Sequence, residues 1–234
     1  MQRYFFNPFS VFLLLFLILA LIIMLPLLFL GIIGGALHKL GFETWQVIFL
    51  VVAMIVGSFI NIPVTRIKNE YSTVRVPHGH LMSKMYKVPE FSSETTVAIN
   101  LGGAVIPVLV SLVLLLKIAF IPGSTLILSS ALIGILIVTI VVHLSAKPVQ
   151  GLGIATPLLI PPLCALICGI VLSWGIPLAA PVIAYVAGTI GTLVGADILN
   201  LKKLGELGAP VASIGGAGTF DGIFLTGIIA AFLA

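Results

Sequence analysis

The chain has 234 residues, of which 60% are hydrophobic and only 8% charged, and its mean hydropathy is +1.32. Soluble domains carry about 25% charged residues, so this composition excludes an ordinary soluble enzyme or binding module. The net charge of +4 sits in loops beside apolar runs, which reads as a membrane-protein loop bias and not as a nucleic-acid surface.

Apolar runs of about 20 residues fit transmembrane helices. Seven are expected, at 9–36, 44–63, 96–118, 124–143, 155–174, 178–200 and 218–234. The fold class is therefore an all-α integral membrane protein, a single domain over residues 1–234 built as a bundle of about seven transmembrane helices. The first run is too long for the apolar region of a signal peptide, and more spans follow it. It reads as a retained helix kinked at Pro26. Residues 64–95 form one small polar cytoplasmic loop. Within it, 71–76 and 81–88 carry strand-forming residues around Pro77-His78-Gly79-His80, which predicts a β-hairpin or an extended excursion. His78 and His80 read as a solvated turn before a metal site. His38 and His143 fall at span ends, where interfacial packing is the default.

The fifth run is led in by KPVQGLGIATPLLIPPL. Gly151, Gly153, Pro157, Pro161 and Pro162 are poor material for a straight helix. They predict either a Pro-kinked helix or a broken, re-entrant segment whose free backbone groups meet an ion or substrate. Cys164 and Cys168, four apart in one apolar run, share a helix face and read as apolar filler. In the sixth run Ala187, Gly191 and Gly195 recur at every fourth residue. Such a stripe admits close approach of another helix, inside the bundle or between subunits of a cyclic homo-oligomer.

Loop charges orient the spans. On the N-terminal side lie Arg3, Arg66, Lys68, Arg75, Lys84, Lys87, Lys147, Lys202 and Lys203; on the other lie Lys39 and Lys117, which completes the eleven. The positive-inside rule then makes the N-terminus cytoplasmic and the C-terminus external, in a multi-pass protein of the cell membrane.

The aspartates Asp197 and Asp221, the only two in the chain, lie within or at the edge of apolar runs. A charged side chain there costs roughly 2.5–3.5 kcal/mol on insertion scales, so it faces a cavity, a partner or an ion. The two runs are consecutive and antiparallel, so both aspartates fall at one depth in the cytoplasmic half. Asn61, Asn100, Gln150, Thr156, Asn200 and Thr219 share that predicted depth. Carboxylates with amide and backbone oxygens suit a hard cation, Mg²⁺ or Ca²⁺. The first expectation is thus a cation channel or transporter, ahead of an enzyme, with Asp197, Asp221, Asn200 and Asn100 holding a divalent cation in a hydrated internal cavity. Its partners are the lipid bilayer, metal cations and further copies of itself, with no nucleic acid. One alternative is intramembrane aspartyl proteolysis, in which two aspartates share a proton and activate water. A second is a structural protein whose aspartates are hydrogen-bonded packing elements.

The segment GGAGTFDG resembles the Gly-x-Gly-Asp motif of presenilin-like and prepilin-type peptidases. Thr219 and Phe220 intervene before Asp221, and Asp197 follows Ala196 where presenilin-like enzymes have tyrosine. The nearest analogue of their Pro-Ala-Leu segment, Ala209-Pro210-Val211, lies between the aspartates. If that resemblance is followed, Asp197 and Asp221 are the catalytic pair. GADILNL followed by GELGAPVASIGGAGTFDGIFLTG more closely resembles the C-terminal signature of an archaeal multi-pass membrane family known only as a domain of unknown function. The resemblance implies an archaeal cell-membrane protein, and Asp197, Asn200 and Asp221 match its signature.

Overall fold

A computed structural model describes residues 8–68, 94–149, 153–176, 178–206, 210–216 and 221–234. Seven α-helices dominate it: α1 (Pro8–Lys39), α2 (Thr44–Ser58), α3 (Ile106–Ala119), α4 (Thr125–Ser145), α5 (Ile160–Leu172), α6 (Ala179–Thr192) and α7 (Gly222–Leu233). Four apolar helical stretches are long enough to cross a membrane: Val11–Lys39, Leu101–Ala119, Thr125–Ser145 and Ala179–Leu204. The helices α2, α5 and α7 are apolar but shorter, at 15, 13 and 12 residues. Several apolar helices of this kind fit a membrane-embedded protein. Pro26 lies inside one continuous α1.

The all-α expectation needs correcting, because strands occupy several expected span ends. After α2, β1 (Asn61–Lys68) pairs antiparallel with β2 (Glu94–Asn100), and β2 pairs in parallel with β5 (Val211–Ile214). A smaller ribbon joins β3 (Lys147–Val149) to β4 (Gly153–Ala155). The β-branched Ile62, Val64, Thr65 and Ile67 favour extended backbone. Pro63 is accommodated because β1 is an edge strand and its register shifts between Pro63 and Thr65. The second run thus ends at Ser58, and the third becomes helical only at Leu101. The expected hairpin at 71–76 and 81–88, with His78 and His80, lies outside the described residues. The fifth run starts its helix at Ile160, with Pro161 and Pro162 in the first turn, where a missing N–H has no helical partner to lose.

The bundle is organised around α6. Ile183, Ala184, Tyr185, Val186 and Ala187 are fully buried. Small residues set how closely its neighbours approach. Added methyl groups on Gly134, Gly169 and Gly227 would press on Ala187, Ala184 and Thr189 respectively. The stripe Ala187, Gly191, Gly195 faces α4, at Gly134, Val138 and Thr139. It is used within the bundle and so presents no surface to a second copy.

Contacts at one end of the bundle fix helix direction. Lys39 Nζ donates to Phe232 O at 2.7 Å, Lys117 lies 4.7 Å from the Phe42 ring centre, and Trp174 Nε1 donates to Ser130 Oγ at 3.1 Å. The C-terminal ends of α1, α3, α5 and α7 therefore lie on the same side as the N-terminal ends of α2 and α4. All five strands belong to connections at the opposite end.

Candidate functional site

Asp221 is the N-cap of α7, in extended backbone, and its carboxylate accepts from the Gly222 amide. An acidic cap there satisfies an orphan donor and faces the positive end of the helix dipole. The backbone amide of Gly215 also lies near the carboxylate. Gly215 directly follows β5 with φ +84°, a left-handed conformation natural to glycine. Its carbonyl lies where a side chain on Gly103 would stand. The close approach of these two glycines therefore fixes the turn that passes beside Asp221.

Gly103 is itself fixed from the sheet. It belongs to a wide π turn, Leu101–Val105, which is capped by Asn100. Asn100 is fully buried. Its Oδ1 accepts from the Gly103 amide at 2.7 Å, and its Nδ2 donates to Ser58 O at 2.6 Å and Asn61 Oδ1 at 3.1 Å. Ser213 Oγ lies 2.6 Å from both Asn61 Oδ1 and Gly216 O. Asn61, Asn100 and Ser213 thus tie β1, β2 and β5 to the turn beside Asp221.

Asp197 arrives by a second π turn, Leu193–Asp197, which follows α6 and passes into a 3₁₀ helix, Ile198–Glu206. The Ile198 amide donates to Leu193 O, five residues back. In an α-helix Asp197 would stand about 140° round the axis from Thr192. The wide turn brings residue i+5 back over residue i, onto the face shared by Thr192, Thr189 and Tyr185. That face packs against α7 through Thr189 and Gly227.

The two aspartates are close enough for the charge of Asp221 to act on Asp197. Both are half-buried. The structure therefore unites the acids that the sequence singles out. It does not bring Asn100 and Asn200 to them as free ligands. Asn100 Oδ1 is held by Gly103, and the buried Asn200 accepts from Lys203 Nζ at 2.8 Å. Gln150 and Thr219 lie outside the described residues. Thr156 lines a cavity of about 310 Å³ with Leu158, Pro161, Asp221, Leu225 and Thr226. The broken lead-in to α5 thus forms one wall of the space that Asp221 faces. Among the described residues no group of three or more His, Cys, Asp or Glu side chains is placed to share a metal ion.

Sequence reasoning missed the π turns, β5 and the part played by Ser213. The signal was the Gly215-Gly216 pair after a short β-branched run, which reads as a strand running into a turn. A family model described as "Protein of unknown function (DUF1614)" matches residues 55–233, well over half of the chain and all of the site. This agrees with the resemblance carried by GADILNL and GGAGTFDG. No curated protein and no solved structure matches the chain.

Proposed function

The chain belongs to this family of proteins of unknown function, and from its own residues we propose that it is an intramembrane aspartyl hydrolase that cleaves peptide bonds in membrane-embedded segments. The bundle crosses the membrane seven times, with N-terminus cytoplasmic and C-terminus external, and the strand-bearing end lies on the cytoplasmic side. The nine-to-two distribution of basic residues supports that orientation. The short helices α2, α5 and α7 complete their crossings with the strands and turns that precede or follow them.

The observation that carries the reading is the pairing of Asp197 with Asp221 while both candidate amide ligands are committed elsewhere. Two carboxyl groups near enough for one charge to act on the other share a single proton. The ionised member takes a proton from water, and the water oxygen bonds to the peptide carbonyl carbon. The protonated member gives its proton to the carbonyl oxygen. Collapse of the tetrahedral diol breaks the C–N bond: the amide nitrogen leaves with the proton taken from water, and one hydroxyl returns its proton to the other carboxylate as the C=O bond forms, which restores the singly protonated pair. The cavity beside Asp221 supplies space for water and the bond. Among the described residues β5 is paired on one side only and runs into the turn beside Asp221, which gives an extended segment a backbone to lie along.

A second reading is a channel or transporter for Mg²⁺ or Ca²⁺, in which the carboxylates coordinate the cation with backbone carbonyls and water. The same cavity favours it. One experiment separates the two. Protein reconstituted in liposomes is given a single-span helical peptide, and in parallel the liposomes carry a divalent-sensitive dye. The hydrolase reading expects cleavage by wild type and none by Asp197→Asn or Asp221→Asn. Intact peptide alongside a divalent flux that both substitutions abolish would establish the cation reading instead.

A further inference from the structure

We propose that Asn200 is a positioning residue that locks the π turn and so aims Asp197 at Asp221. The inference rests on the aspartate pair acting as a unit, and its first readout needs no activity. Winding changes twice within a few residues here, from α to π at Leu193 and from π to 3₁₀ at Ile198. Such junctions leave carbonyls without their regular partners. Asn200 Nδ2 donates to Gly195 O at 3.0 Å and to Ala196 O at 2.9 Å, the two carbonyls just before Asp197. One buried amide thus holds the two consecutive peptide units that lead into Asp197.

The clamp is anchored on both sides. Lys203 Nζ donates to Asn200 Oδ1 at 2.8 Å, which fixes which end of the amide points at the carbonyls. From α4, His143 Nδ1 lies 3.3 Å from Gly195 O and 3.3 Å from Asn200 Nδ2. Gly195 packs on Thr139 O and the His143 amide, so the turn cannot move toward α4. Without the amide, the turn can rewind toward an α-helix. That shift by one residue swings Asp197 about 100° round the axis. Asn200 is therefore not a ligand or an acid; it acts through Asp197.

Cysteines replacing Asp197 and Asp221, in a background with Cys164→Ala and Cys168→Ala, test the aim of the side chains by the rate of disulfide formation on oxidation. Asn200→Leu keeps the branching of the side chain and removes every side-chain hydrogen bond, and it is expected to slow cross-linking about tenfold. Lys202→Met, at an exposed lysine outside the clamp, should stay within about threefold of the parent. In the aspartate-containing protein, Asn200→Leu should lower kcat for helical peptide about a hundredfold with KM unchanged. A parent rate that Asn200→Leu leaves untouched overturns the clamp and leaves the paired aspartates standing. A cysteine pair that fails to cross-link in the parent overturns the clamp and the pair together. A fall in KM affinity matching the fall in kcat marks general disruption, and also counts against positioning.

Discussion

The two ends of the helical bundle are built differently. At one end the connections are tight turns, with Gly41, Gly123 and Gly175 in left-handed conformations, and the helices run to their ends as regular α-helix. At the other end regular winding is abandoned. Among the described residues two π turns, a 3₁₀ helix and five strands occupy the connections, and both aspartates lie there. Inside a membrane, backbone outside a helix is tolerated only where protein or a water-filled space satisfies its polar groups. Irregular backbone concentrated at one end, with side-chain amides and hydroxyls bonded to it, is the setting that regular helix gives way to around the aspartates.

The sharpest way to break this comparison is to remove the acids. Asp197→Asn or Asp221→Asn should each reduce peptide cleavage by about 10²–10⁴-fold, the range of general acid–base catalysis. Circular dichroism and detergent melting should stay close to wild type, because asparagine retains the cap and the shape. Equal loss from Lys39→Met, at the opposite end, would erase the functional difference between the ends.

A smaller effect is expected from the packing that holds the site. A methyl group on Gly103 meets the Gly215 carbonyl, in the turn that passes beside Asp221. Gly103→Ala should cost about 1–3 kcal/mol in unfolding free energy, as overpacking does, and also lower cleavage. Gly31→Ala, where an added Cβ meets nothing within 4 Å, is the control and should leave both unchanged. Melting temperature and turnover, measured on the same preparations, check the pair of variants together.

The same asymmetry decides what was legible in the sequence. Hydropathy alone marked the seven helical segments, because a run such as 124–143 is apolar on every face and its helix, Thr125–Ser145, follows that run closely. The aspartates were legible because a carboxylate in such a run demands a reason. The strands were not. Residues 61–63 and 96–100 are apolar enough to continue a helix, and only pairing across the chain makes them extended. Asn100 and Asn200 have the composition of ligands, and nothing local says that their oxygens already accept from Gly103 and Lys203. The π turns were beyond reach for a related reason. A five-residue winding is chosen by the packing of Gly195 on α4 and by the Asn200 amide, not by the propensity of LVGAD.

The smallest expected effect concerns the regular end, and it sharpens the comparison from the other direction. Lys117 sits over the Phe42 ring at 4.7 Å, and Lys39 over the Phe232 ring at 5.8 Å. Both lysines are exposed, so each contact contributes about 0.5–1 kcal/mol. Phe42 is buried at the turn between α1 and α2, so the Lys117 contact ties that turn to the end of α3. Lys117→Met keeps the aliphatic stem against the ring and removes only the charge. It should lower the unfolding free energy by no more than about 1 kcal/mol, with cleavage at the far end unchanged. Lys39→Met removes a hydrogen bond to Phe232 O as well as a ring contact, so it should cost slightly more. Additive losses in the double variant are expected, since the two contacts share no residue. A change in turnover in either variant would mean that the turns of this end are coupled to the aspartates through α3 or α7, and that the ends are not independent.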